Sequence, residues 1–98
     1  MERLTEVEKE KILFIINPIS GIRPKGNVEK NILKYLDNVK YRAEFHVTTC
    51  KGDATAAVQA KLAEGYTKFV AVGGDGTVNE VASAIVGTEA TLGIIPTG

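Results

Sequence analysis

The stretch 69–81, which reads Phe-Val-Ala-Val-Gly-Gly-Asp-Gly-Thr-Val-Asn-Glu-Val, constrains the fold more than any other part of the chain. It opens as an apolar, β-branched run typical of a buried parallel strand, and it then breaks at three glycines. A helix is predicted to follow, with Thr77 as its N-cap and Glu80 completing a capping box. A strand, a glycine turn and a helix N-terminus in this order suit phosphate binding, because free N–H groups and the positive end of the helix dipole point the same way.

The three glycines, Gly73, Gly74 and Gly76, surround a single aspartate, Asp75. Glycine lets the backbone approach an anion without a Cβ in the way, and it permits positive φ. A lone carboxylate would repel a naked phosphate, so Asp75 indicates either a metal ion beside it or a role in proton transfer. A dinucleotide fingerprint does not fit, because the turn follows the third strand and Asn79 stands at the last glycine position. A P-loop does not fit either, since no glycine-lysine-serine/threonine follows.

The rest of the chain alternates strand and helix patterns. Apolar or alternating runs predict strands at 11–16, 41–49, 67–72 and 91–95. Helices are predicted at 27–37, capped by Asn27, at 54–64, capped by Asp53, and from Thr77 to Gly87. The order β-α-β-α-β-α-β, with right-handed crossovers, predicts an α/β fold: a three-layer α-β-α sandwich around a parallel, Rossmann-like sheet. Residues 1–10 are expected to form a charged N-terminal tail, and residues 11–98 a domain.

In such a fold the loops that follow strands meet at the carboxyl edge of the sheet. These loops are 17–26, 48–53, 73–77 and 96–98. Ligands of open α/β sheets bind at this edge, so we expect the binding site there.

Composition excludes several classes of function. The 12 basic and 12 acidic side chains balance, so no global basic field favours nucleic acid. Cys50 is the only cysteine, which excludes a disulfide framework and a cysteine-cluster metal site. His46 is the only histidine and is predicted to face outward on its strand. No apolar run has the length of a membrane span or the pattern of a signal peptide, and a cytoplasmic protein is expected.

Three motifs together resemble a known family. Residues 73–77 resemble the nucleotide-binding signature of the diacylglycerol kinase, sphingosine kinase, NAD kinase and phosphofructokinase superfamily, and the continuation 78–81 resembles its lipid-kinase branch. Residues 17–21 (Asn-Pro-Ile-Ser-Gly) and 92–98 (Leu-Gly-Ile-Ile-Pro-Thr-Gly) agree with this assignment. From about Lys11 to Gly98 the chain resembles the catalytic domain of a bacterial-type diacylglycerol kinase.

The resemblance implies particular site residues. Those expected to contact the nucleotide are Asn17, Ser20, Gly21, Thr49, Gly73, Gly74, Gly76, Thr77, Thr97 and Gly98. Thr48 is an equally good match for the threonine at the end of the second strand. Arg23 and Lys25 either pair with phosphates or are simply solvated. Asp75 is the expected catalytic residue, acting through Mg²⁺ or as the base that takes the proton of the substrate hydroxyl.

The function implied is the ATP-binding portion of an ATP-dependent lipid kinase, with ATP and Mg²⁺ as cofactors and diacylglycerol or a similar lipid as acceptor. The resemblance also implies that the chain is an N-terminal fragment without a second, β-rich domain, inactive alone, with any membrane-surface contact made by the absent part. The alternatives are a sphingoid-base or NAD kinase and a non-catalytic nucleotide-binding module. The 17–21 loop argues against NAD kinase, and an intact Asp75 argues against a degenerate relative.

Overall fold

The computed structural model of the protein describes residues 9–18, 25–37 and 39–96 and confirms the predicted alternation of strands and helices. The elements are β1 (Glu10–Ile16), α1 (Lys25–Tyr35), β2 (Tyr41–Val47), α2 (Asp53–Ala63), β3 (Lys68–Gly73), α3 (Asp75–Ile85) and β4 (Thr91–Pro96). β1 begins one residue inside the predicted tail, and residues 1–8 of that tail lie outside the described residues.

The four strands form one parallel sheet in the order β2-β1-β3-β4. The chain runs from β1 outward to β2, then crosses to β3 on the other side of β1 and continues outward to β4. The direction of winding therefore reverses between β1 and β3. This reversal leaves a crevice at the carboxyl ends of those two strands, which is where open α/β sheets bind ligands.

Two apolar cores cover the two faces of the sheet, as a three-layer fold requires. The first core packs α2 and α3 onto the sheet, and its buried residues are Leu13, Ile15, Ala54, Val58, Tyr66, Phe69, Ala71 and Val81. The second core contains Ile12, Phe14, Ile16 and Val72, with Ile32 and Leu36 of the α1 region against them. β1 contributes to both cores because it is a central strand, which explains its unbroken apolar run. The predicted inward face of β2, namely Tyr41, Ala43, Phe45 and Val47, packs against the second core.

The helix starts differ from the predictions. α1 begins at Lys25 rather than after Asn27, so Asn27 lies within the helix and is not its N-cap. α2 begins at Asp53 with Gly52 in the N-cap position, so Asp53 is not the cap. α3 begins at Asp75 with Gly74 in the N-cap position, which places Thr77 inside the helix and excludes it as the cap. In both cases a glycine occupies the N-cap position, and the side chain of Asp53 contacts Thr49 and His46 instead of capping its helix.

The helix ends agree better with expectation. Gly65 and Gly87 have φ of +97° and +82°, the left-handed conformation that ends helices. Val86, the C-cap residue of α3 just before Gly87, is 78% exposed. Among the described residues, no helix has both the length and the apolar character needed to cross a lipid bilayer.

Candidate functional site

The carboxyl edge is held together by backbone hydrogen bonds that continue past the strand ends. The N–H of Asn17 donates to the carbonyl of Val72 at 3.0 Å, and the N–H of Thr48 donates to the carbonyl of Ile16 at 2.9 Å. The loops after β1, β2 and β3 are therefore fixed to the same edge, on either side of the crevice between β1 and β3.

A cavity of about 390 Å³ opens at this edge. It is lined by Asn17, Pro18, Thr48, Thr49, Cys50, Lys51, Ala54, Gly76, Thr77 and Glu80. The structure thus brings together four of the residues proposed from sequence, Asn17, Thr49, Gly76 and Thr77. Thr48 and Thr49 both line the cavity. Their positions therefore do not require a choice of one threonine over the other. The beginnings of α2 and α3 both face the cavity, which gives it the positive ends of two helix dipoles.

The three glycines of the turn differ in their roles. Gly73 is buried, and a Cβ placed on it would lie 2.8 Å from Oγ1 of Thr77 and 3.2 Å from Cβ of Asn17. Apart from the adjoining backbone, a Cβ on Gly74 or Gly76 would meet no heavy atom of the described residues within 4 Å. None of the three has positive φ, so the turn does not use the left-handed backbone that glycine permits. Gly73 allows close packing of the turn, whereas Gly74 and Gly76 leave open space beside it.

The hydroxyl of Thr77 is the most unusual polar group in the site. Thr77 is only 4% exposed, yet its side chain makes no hydrogen bond to any residue within the described ranges. Buried hydroxyls are nearly always hydrogen-bonded to protein or water. A hydroxyl in the lining of a cavity that lacks such a partner is a donor and acceptor available to whatever occupies that cavity.

Glu80 does not complete a capping box in α3. Its Oε2 accepts the N–H of Gly52 at 3.1 Å, and its Oε1 accepts the N–H of Ala54 at 3.2 Å. The carboxylate therefore caps α2 instead of its own helix. The sequence carries no signal for this contact, because it joins residues 28 and 26 positions apart.

Asp53 holds the loop between β2 and α2. Its Oδ2 accepts the backbone N–H of Thr49 at 2.8 Å and the hydroxyl of Thr49 at 3.2 Å, and it lies 3.2 Å from Nε2 of His46. These interactions, above all the backbone N–H of Thr49, lower the pKa of Asp53. His46 is thus a partner of Asp53 rather than the simple surface residue predicted from sequence.

Asp75 is exposed at the first position of α3, and its side chain has no hydrogen bond or ion pair within the part of the chain that the structure describes. No group of three or more histidine, cysteine, aspartate or glutamate residues stands together in that part. Magnesium usually binds through one or two carboxylates, substrate phosphates and water, rather than in a cage of protein ligands. One free carboxylate at the start of α3 fits that mode of binding.

Several predicted site residues cannot be placed. Ser20, Gly21, Thr97 and Gly98 lie outside the described residues, as does Arg23. Cys50, Lys51 and Ala54 line the cavity without having been proposed as site residues. Cys50 and Lys51 lie in the loop 48–53, which was already expected at this edge of the sheet. The predicted topology, and not a sequence motif, was therefore the signal that could have identified them.

These features define the class of protein. It is an α/β protein whose parallel sheet has helices packed on both faces, with a candidate ligand site at the topological switch point. The family model described as "Diacylglycerol kinase catalytic domain" matches residues 11–98. The chain belongs to the diacylglycerol kinase catalytic domain family.

Individual relatives agree with this assignment. The chain is 36% identical over 87 residues to a diacylglycerol kinase of Bacillus subtilis (strain 168), a match that covers 87% of this chain and 29% of the relative. A diacylglycerol kinase of Staphylococcus haemolyticus is also 36% identical, with 87% of this chain and 26% of the relative covered. The crystal structure of a diacylglycerol kinase from Bacillus anthracis str. Sterne superposes with a TM-score of 0.67 at 31% identity, covering 91% of this chain and 33% of that one. The chain therefore spans about a third or less of the length of these relatives.

Proposed function

We propose that this chain is the ATP-binding part of a lipid kinase that transfers the γ-phosphoryl group of ATP to a lipid hydroxyl, with diacylglycerol as the favoured acceptor. The observation that carries the proposal is the cavity at the switch point, lined by the start of α3 and by Thr77, whose buried hydroxyl has no hydrogen-bond partner among the described residues. Backbone N–H groups at a helix start favour an anion, and a buried hydroxyl without a partner favours a polar ligand.

The phosphates of ATP would lie along the turn 73–77. Beyond the adjoining backbone, a Cβ on Gly74 or Gly76 meets no atom of the described part of the chain within 4 Å, so the backbone there is open to close approach by an anion. Asn17 and Thr49 would contact the nucleotide from the other side of the cavity. We place the adenine toward residues 96–98, where Thr97 and Gly98 would contact it, and Ser20 and Gly21 beside the ribose and phosphates.

Asp75 would hold Mg²⁺ together with phosphate oxygens and water, since its carboxylate is exposed and has no ion pair or hydrogen bond with the residues that the structure describes. When bound, the metal neutralises charge on the β- and γ-phosphates. Thr77 and the N–H groups of the turn would orient the phosphates. In phosphoryl transfer, positioning and charge neutralisation of this kind supply most of the catalysis.

The reaction exchanges one phosphorus–oxygen bond for another. The oxygen of the lipid hydroxyl bonds to the γ-phosphorus as the bond from that phosphorus to the bridging oxygen breaks, and ADP leaves. The hydroxyl proton goes to the carboxylate of Asp75 if this residue is the base, and otherwise to solvent.

The names of the relatives support diacylglycerol as the acceptor, since each one cited above is called a diacylglycerol kinase. Because ATP is a cytoplasmic metabolite and the acceptor is a lipid, we expect the protein to act in the cytoplasm at the membrane surface.

Two measurements test the proposal. Titration of the chain with a non-hydrolysable ATP analogue and Mg²⁺ should shift the amide signals of Asn17, Thr49, Gly76 and Thr77. Shifts confined to the opposite edge, near Tyr66, would contradict the assignment of the site. In the full-length protein, transfer of radiolabel from ATP should be faster to diacylglycerol than to sphingosine or NAD, and a preference for either of the latter would overturn the choice of acceptor.

A further inference from the structure

The carboxylate of Glu80 joins the two helices that border the cavity. It is on α3, four residues after Gly76, and both of its oxygens accept backbone N–H groups at the start of α2, from Gly52 at 3.1 Å and from Ala54 at 3.2 Å. A third hydrogen bond joins the same two helices, from the hydroxyl of Thr55 to the carbonyl of Glu80 at 3.0 Å. One residue of α3 thus receives three hydrogen bonds from the first turn of α2 and the residue before it.

The start of α2 depends on this carboxylate. Gly52 occupies the N-cap position with φ of +90° and provides no side-chain cap, and the side chain of Asp53 is engaged with Thr49 and His46. The unsatisfied N–H groups of a helix start need an acceptor, and a carboxylate is the most favourable one at the positive end of the helix dipole. Glu80 supplies this acceptor from another helix.

This contact fixes the width of the cavity. The loop that precedes α2 contributes Thr48, Thr49, Cys50 and Lys51 to one wall, and Gly76 and Thr77 of α3 form part of the opposite wall. Asp53 holds the loop at Thr49, and Glu80 holds it at Gly52. Of these two contacts, only that of Glu80 is made from α3, the helix at the glycine turn.

We propose that Glu80 is a positioning residue for the nucleotide site: it sets the threonine loop 48–52 at the distance from the glycine turn that ATP requires. This role rests on the proposed function. It is distinct from a catalytic role, because both oxygens of Glu80 are already occupied by backbone N–H groups.

Three variants of the full-length protein test this role. Glu80→Ala removes both acceptors. Glu80→Gln keeps the length of the side chain and one acceptor oxygen but loses the charge. Thr55→Val is the matched control, because it deletes a hydrogen bond between the same two helices without touching the loop or the lining of the cavity.

We expect the dissociation constant for Mg-ATP to rise by about ten-fold in Glu80→Ala, the scale of losing one good helix cap, and by less in Glu80→Gln. The amide signals of Gly52 and Ala54 should move in both variants. Thr55→Val should lower the melting temperature but leave ATP affinity unchanged. Measurements well below the melting temperature keep every variant folded, so general destabilisation alone would not alter affinity.

The outcomes separate this role from the proposed function. Failure of the wild-type protein to bind ATP would overturn the proposed function and this role with it. Two results would overturn the role of Glu80 and leave the proposed function standing, provided that the wild-type protein binds ATP. One is that Glu80→Gln and Glu80→Ala bind Mg-ATP with the same affinity as each other. The other is that Thr55→Val loses as much Mg-ATP affinity as the Glu80 variants do. If Glu80→Ala does not fold, the comparison of Glu80→Gln with Thr55→Val decides in the same way.

Discussion

Asp53 and Thr49 are joined by two hydrogen bonds to a single oxygen: Oδ2 of Asp53 accepts the backbone N–H of Thr49 at 2.8 Å and its hydroxyl at 3.2 Å. His46 approaches the same oxygen at 3.2 Å. The loop before α2 is therefore held by a carboxylate, and its geometry should depend on the charge of that group.

The first prediction concerns this dependence on pH. The N–H of Thr49 and then His46 lower the pKa of Asp53 from its ordinary value of 3.8, so the carboxylate stabilises the folded state above that pH. The contribution is lost as the pH falls through the lowered pKa of the folded state. Asp53→Asn should therefore be less stable than wild type at neutral pH, and the difference should shrink as the pH falls below 3.8 and through the lowered pKa of the folded state. Urea denaturation across this range measures it, and a difference that does not change with pH would contradict the role of the charge.

The second prediction concerns Gly73 and Gly76, whose replacement by alanine should change the free energy of unfolding in opposite directions. Gly73→Ala places a Cβ 2.8 Å from Oγ1 of Thr77, so the free energy of unfolding should fall by about 1–3 kcal/mol through overpacking. Gly76→Ala meets nothing within 4 Å and lies in a helix, so it should raise that free energy by about 0.5–1 kcal/mol.

The double variant Gly73→Ala/Thr77→Ala provides the control. It removes the Oγ1 atom that the new Cβ would meet, so the two changes together should cost less than the sum of the single variants. Strict additivity would show that the close contact at Gly73 is not the source of the loss.

The fold could be predicted from sequence because its signals are local. Apolar runs mark the strands, Gly65 and Gly87 mark helix ends, and the order of elements with right-handed crossovers leaves a parallel sheet. The capping of α2 and α3 could not be predicted in this way. Thr77 and Glu80 stand at the spacing of a capping box, yet Glu80 contacts Gly52 instead, because tertiary packing brings a helix start without its own cap within reach.

The third prediction concerns the open space at the turn. A Cβ at Gly74 or Gly76 would meet no atom of the described residues within 4 Å beyond the adjoining backbone, so a valine there should leave the fold intact while it fills the space proposed for the phosphates. Gly76→Val should therefore abolish ATP binding in calorimetric titrations. Gly87→Asn is a useful control, since asparagine tolerates its φ of +82° and the position is remote from the cavity. A folded Gly76→Val protein with wild-type affinity would exclude this turn as the phosphate site.

The fourth prediction concerns Asp75, in the full-length protein. Asp75→Asn keeps the shape of the side chain and removes its charge. The fold should be little affected, because Asp75 is exposed and its side chain has no hydrogen bond or ion pair within the described ranges. Phosphoryl transfer to diacylglycerol in a radiolabel assay should fall on the order of 10²–10⁴-fold, since an amide neither accepts a proton as a carboxylate does nor holds magnesium as well.

The two proposed roles of Asp75 are distinguished by ATP affinity rather than by the rate of phosphoryl transfer. If the carboxylate holds Mg²⁺, magnesium tightens ATP binding in the wild-type protein and no longer does so in Asp75→Asn. If it is the base, Mg-ATP affinity is unchanged in the variant and only the chemical step is lost. Titrations with ATP in the presence and absence of magnesium, made on both proteins, distinguish these results. Wild-type turnover in Asp75→Asn would remove Asp75 from the mechanism, and its carboxylate would then serve only to stabilise the start of α3 through the helix dipole.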